Sequence, residues 1–186
     1  KLGINTRNNY PILSILDPKI PANSPKNVIL NSSLGALIRS IDSMFNKKSN
    51  KISKMFSENS FRLLYNNLPK VLSKRNNLEY WSDMQWGAYL SIAALLNSSS
   101  GPAAAIAYYL STHYNIPQGL GYAIAGIYFF ERNHKKGYHE YFKLFDLIDK
   151  KPNKKKLSKK EKSQFVILNL LKILKYYKLT LKTANI

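Results

Sequence analysis

Residues 101–133 read GPAAAIAYYLSTHYNIPQGLGYAIAGIYFFERN, and the fold turns on this stretch. It divides into helix, tight turn and helix. Ser100 or Gly101 is placed to cap the first helix, and Pro102 suits its first turn, where a missing N–H removes no bond. Alanines at 103–105 then give way to Ile106, Tyr108, Tyr109 and Leu110. Asn115, Pro117 and Gly119 punctuate the turn. Residues 120–130 are apolar almost all round, which predicts a deeply buried second helix. Two close helices around a polar turn make a floor for a site, although core packing alone explains most such hairpins.

The bounds on the rest are set by length, cysteine count and charge. A chain of 186 residues can bury a sizeable single core. It holds no cysteine, which removes disulfides and thiolate zinc sites. Its apolar runs stop short of the ~18 residues that a membrane span needs, so the expectation is a soluble, cytoplasmic protein. The chain opens at Lys1 without an initiating Met, as a fragment would. The formal net charge of +19 fits either a nucleic-acid or membrane surface, or a lysine-rich composition filling solvated positions. The second reading is favoured. Arginine, whose fork suits base and phosphate recognition, occurs only at Arg7, Arg39, Arg62, Arg75 and Arg132.

Residues 1–26 form a connector. Four prolines between Pro11 and Pro25 argue against a helix, and 12–16 reads as an extended segment packed along the body. Residues 27–186 then read as one helical domain. Val28, Leu30, Leu34, Leu37, Ile38, Ile41, Met44 and Phe45 mark a helix over 27–45. After a polar connection at 47–54, a helix is expected over 55–66, followed by Leu68-Pro69 and a short helix to Leu72. A long helix over 78–96 carries Trp81 and Trp86, which read as core or interdomain anchors. An amphipathic helix over 138–148 and a lysine-rich link precede the last helix, 159–177, which Ser158 and Glu161 open as a capping box. His134 and His139, near Glu131 and Glu140, read as a solvated turn rather than an improvised metal site, and His113 has no ligand partner.

Several of these junctions resemble one family. Asp17-Pro18, the Asn66-Asn67-Leu68-Pro69 junction and Tyr114-Asn115-Ile116-Pro117-Gln118-Gly119 occur in the order and spacing seen in the iron-containing alcohol dehydrogenases. That resemblance implies an all-α domain like the helical domain of those enzymes and of dehydroquinate synthase-like proteins. It places a dinucleotide-binding domain upstream, to which this domain would be joined as a partner. No glycine-rich phosphate loop occurs in these 186 residues. The family's helix with ligand Asp and His four apart corresponds to residues 33–42, so its two metal ligands fall at Gly35 and Arg39. Its two further ligand histidines fall at Ala104 and Gln118, and a histidine usually near the nicotinamide falls at Tyr108. Glycine and alanine offer no donor atom, and Arg is a permanent cation. The expectation is therefore that no metal is bound there.

Three readings follow. The first is an alcohol dehydrogenase-like oxidoreductase, NAD- or NADP-linked in the full-length protein and probing a small-molecule substrate. Arg39 would then replace the metal's positive charge, Gln118 would donate to the substrate oxygen, and Tyr108 would line the cofactor side. This chain alone would be inactive, and the resemblance admits a homodimer. The second is dehydroquinate synthase-like chemistry on a sugar phosphate. The third is a non-catalytic helical module kept for binding or assembly, with nucleic acid as a weaker version of the same idea.

Overall fold

The computed structural model describes residues 11–152 and 157–176. Among the described residues there are seven α-helices, one 3₁₀ helix and no strand. The all-α expectation holds.

The centre is α2 (Lys26–Phe45). Leu34, Leu37, Ile38 and Ile41 are wholly buried, and Ser33, Ser40 and Ser43 are buried as well. A helix apolar or small on nearly every face belongs in the middle of a bundle rather than on its surface. Around α2 pack α3 (Lys51–Ser73), α4 (Leu78–Leu96) and α6 (Gln118–Lys135).

The α3–α4 pair is the main scaffold. It buries Phe61, Leu64, Leu68, Val71, Trp81 and Met84. The expected polar connection before it is shorter than the sequence suggests, because Asn50 caps α3. Its side chain accepts from the N–H groups of Ile52 and Ser53, both at 3.0 Å, and Ser53 Oγ accepts from Asn50 N–H at 2.9 Å. Nor does Pro69 split the helix. It stands inside α3, with buried Leu68 and Val71 on either side holding the chain to the core. Pro removes one helical hydrogen bond, and the packing outweighs that loss. The two tryptophans separate in role. Trp81 is buried with its indole N–H donating to Arg75 O at 2.7 Å, whereas Trp86 is half exposed.

The connector differs from expectation in two ways. A single turn, α1 (Lys19–Ala22), forms despite the prolines. Pro21 lies within its first turn, where an absent N–H has no helical partner to lose. Before it, Ile12, Leu13 and Ile15 are exposed rather than packed along the body. Attachment begins at Asp17, whose carbonyl accepts from Gln85 Nε2 at 2.9 Å.

The quoted stretch forms α5 (Pro102–His113) and α6, with Asn115 at φ 52° turning the chain between them. Gly101 stands at the N-cap without a side-chain cap. The expected helix over 138–148 is a 3₁₀ helix, Glu140–Leu147. Its buried residues are Tyr141, Leu144 and Phe145, and the step of three from Tyr141 to Leu144 matches three residues per turn. The chain then reaches α7 (Lys159–Tyr176). The capping box forms as read, with Ser158 N–H donating to Glu161 Oε2 at 2.8 Å and Glu161 N–H to Ser158 Oγ at 3.3 Å. The expectations for 153–156 and 177–186 lie outside the described residues.

Candidate functional site

Three chain segments meet along α2: its own middle turns, the start of α5 and the start of α6. The meeting is close because the facing residues are small. A Cβ on Gly35 would lie 2.9 Å from Gly119 Cα, and one on Gly119 would strike the carbonyl oxygen of Asn31. The α2 and α6 backbones therefore touch. This is the place to which the resemblance carries the ligand positions Gly35 and Gln118.

One turn further along α2 stand Arg39 and Asp42, three apart and so on neighbouring positions of one face. Arg39 is not an ordinary exposed residue. Its side chain is largely enclosed, and Nη1 donates to Ser91 Oγ on α4 at 3.3 Å. Burial pushes its pKa down, while nearby Tyr122 and Tyr108 push it up. A guanidinium stays charged across this range, so the site holds a fixed cation.

Asp42 is 7% exposed. Its Oδ2 accepts from Tyr122 Oη at 2.8 Å and from Gly101 N–H at 3.2 Å. Burial raises its pKa to about 6, against the pull of those two hydrogen bonds. Tyr122 is held well above the usual phenol range by burial and then by the Asp42 charge. Gly101 is glycine for a steric reason, since a Cβ there would lie 2.7 Å from Asp42 Oδ1. One carboxylate thus fastens α2 to the starting turn of α5 and to α6.

Each residue singled out from the sequence can now be placed. Arg39 and Tyr108 are near enough to interact electrostatically. Gln118 is the first residue of α6, partly buried, beside the Gly35–Gly119 contact. Ala104 is buried in the first turn of α5. Tyr108 is about half exposed on α5. The residues that sequence reasoning passed over are Asp42, Tyr122 and Ser91. Asp42 carried a signal: it is the only acid between Asp17 and Glu58, and it lies on an apolar helix three residues after Arg39. Nothing in the sequence marks Tyr122 among thirteen tyrosines.

The side chains at the four positions carried over from the resemblance do not suit a divalent ion. Gly35 and Ala104 have no donor atoms, Arg39 repels a cation, and the space beside Gly35 is taken by the Gly119 backbone. No group of three or more His, Cys, Asp or Glu able to hold a metal occurs among the described residues.

Residues 29–180 match the family model described as Fe-containing alcohol dehydrogenase family, C-terminal. The 1,3-propanediol dehydrogenase of Klebsiella pneumoniae is 25% identical over 124 residues, covering 67% of this chain and 32% of that protein. The 1-propanol dehydrogenase of Citrobacter freundii is 24% identical over 115 residues, covering 62% of this chain and 31% of that protein. The chain thus spans about a third of the length of these curated relatives. Among solved structures, a 1,3-propanediol oxidoreductase superposes with a TM-score of 0.82 at 18% identity, covering 91% of this chain and 44% of that one. An iron-containing alcohol dehydrogenase from Thermococcus thioreducens gives 0.79 at 22% identity, covering 95% and 44%. At these identities the superpositions speak to the fold.

Proposed function

This chain belongs to the Fe-containing alcohol dehydrogenase family, and from that membership we propose that it is the helical part of a dehydrogenase-like oxidoreductase in which a guanidinium does the work of the family's metal ion. The observation that carries the reading is Arg39: a part-buried cation beside Tyr108 and Tyr122 and tied to Ser91, at a position to which the resemblance carries a metal ligand.

The chemistry asked of the site is limited. An aldehyde oxygen gains negative charge as hydride arrives and then takes a proton from water. In the reverse direction the alcohol first gives its O–H proton to water, and the alkoxide's charge is relieved as hydride leaves its carbon. A fixed cation with N–H donors stabilises that oxygen without reorganising, and more strongly in an enclosed site than in water. Arg39 supplies the cation and Gln118 an amide donor. Tyr108 lines the side where the nicotinamide ring would lie. Nicotinamide, held mainly by other parts of the whole protein, supplies the hydride acceptor or donor. Asp42 and Tyr122 act on positioning, because they fix the start of α5 and α6 relative to α2.

The test is turnover in the full-length protein with simple alcohols and aldehydes. Arg39→Ala should lower kcat about 10²–10³-fold, the range for losing one preorganised oxyanion donor. Arg39→Lys should recover part of the loss, since it restores charge but not the fork. Unchanged turnover in Arg39→Ala would remove Arg39 from the mechanism. The reading as a non-catalytic module draws on a different observation: Arg39, Asp42 and Tyr122 all have bonding partners within the fold. Absence of turnover with alcohols, aldehydes and sugar phosphates alike would favour it.

A further inference from the structure

The far end of α6 holds a second cluster. His134, in the last turn of α6, and His139, just beyond the turn, face each other with Nδ1 to Nδ1 at 3.1 Å. His134 Nδ1 is also 3.1 Å from Ser163 Oγ on α7. Ser163 is wholly buried. The carboxylates nearest in sequence are engaged elsewhere, Glu131 with Lys135 at 2.8 Å and Glu140 with Lys143 at 2.6 Å. Residues 136–138 are an exposed turn, as expected, and the two partly exposed imidazoles beside it pair with each other and with α7.

The arrangement leaves an imbalance. A ring nitrogen has one in-plane direction, used either by a lone pair or by an N–H. His134 Nδ1 has two neighbours at hydrogen-bond distance and can serve one of them well. Burial first, then the charges of His139 and Lys160, disfavour the protonated form of His134, and the neutral imidazole is the form that binds metals. A metal ion uses both lone pairs at once. With Zn–N bonds of about 2.0–2.1 Å, two nitrogens 3.1 Å apart subtend roughly 95–102° at the ion, between octahedral and tetrahedral values.

We propose that His134 and His139 form a two-imidazole site for a borderline divalent transition ion, Zn²⁺ or Cu²⁺, with the Ser163 hydroxyl beside it. No third His, Cys, Asp or Glu joins them among the described residues, so Ser163 and water complete the shell. The surrounding charge is mixed: Lys160 faces His134 from α7, Lys159 and Lys143 surround Glu140, and Glu131 and Lys135 stand on α6. That setting favours moderate affinity, with Cu²⁺ tighter than Zn²⁺ by the usual order for nitrogen ligands. The ion ties the end of α6 to α7. It stands apart from the Arg39 site, since Gln118 and His134 are sixteen residues apart on one helix, roughly 24 Å along its axis.

The test uses the full chain after treatment with a chelator. ZnCl₂ and CuCl₂ are titrated at pH 7.5 into the native protein, His139→Ala and His113→Ala, with ¹⁵N imidazole NMR and calorimetry. The native chain and His113→Ala should bind one ion per chain and show shifts at both Nδ1 atoms of the pair. His139→Ala should bind at least about tenfold more weakly. Loss of binding on His139→Ala counts only if its circular dichroism is native, and the NMR shifts of the native chain test the site without substitution. Equal affinity in His139→Ala, no saturable binding in the native chain, or Nδ1 signals unmoved by the metal would each overturn the proposal. None of these outcomes bears on turnover at Arg39.

Discussion

The two helical hairpins of this chain are assembled by opposite means. The α3–α4 hairpin is held by large side chains. Phe61 and Trp81 are wholly or almost wholly buried, and Phe61 stacks on Tyr65 with ring centroids 5.2 Å apart. The α5–α6 hairpin is held by small ones. Its helices meet α2 and each other through Gly101, Gly119, Gly121, Ala103 and Ala107, while Tyr108, Tyr109 and Tyr114 stay about half exposed. Large side chains tolerate small adjustments of the backbone. Backbones in contact do not, and that stiffness suits a place where charged groups must be held at fixed positions.

Four substitutions can break or sharpen this contrast. Phe61→Ala should be the most damaging to stability, by about 3–5 kcal/mol, because it empties the scaffold hairpin. Urea unfolding measures it, and a loss below about 1 kcal/mol would deny that hairpin its role. Gly119→Ala should cost about 3 kcal/mol despite adding one methyl group, since its Cβ meets the Asn31 carbonyl rather than a side chain that can swing away. A neutral result would mean that the α2–α6 contact is looser than described.

Asp42→Asn addresses the polar fastening between the hairpins. Folding raises the Asp42 pKa to about 6, so the folded chain holds this proton more tightly than the unfolded one. Its contribution to stability is complete below about pH 4 and is lost as the pH rises through about 6, in all about 2–3 kcal/mol. Asn does not titrate. The stability difference between native and Asp42→Asn chains should therefore shift in favour of Asn between pH 4 and pH 7, and a difference independent of pH would contradict the buried, titrating carboxyl. Trp86→Ala should have the smallest effect, within about 0.5 kcal/mol, because the side chain is half exposed.

Legibility in the sequence followed the same division. Helices whose buried residues are large and periodic, α2, α4 and α7, stand where the pattern of Leu, Ile and Met puts them, to within one or two residues. The errors fall where one local rule was weighed without its neighbours. Pro69 reads as a break until Leu68 and Val71 are known to be buried, and Asn50 reads as connection until its side chain is seen capping α3. The site was half legible. Arg39 and Gln118 came from a resemblance, but Asp42 and Tyr122 are eighty residues apart and only the fold brings them together. His134 and His139 were visible as a pair in sequence. Ser163, which joins them to α7, was not.

The measurement closest to the central claim is alcohol turnover by the full-length protein after exhaustive chelation, with metal content determined on the same sample. Turnover should persist without metal, because a guanidinium at Arg39 supplies the positive charge. Turnover lost on chelation and restored by Fe²⁺ or Zn²⁺ would contradict it.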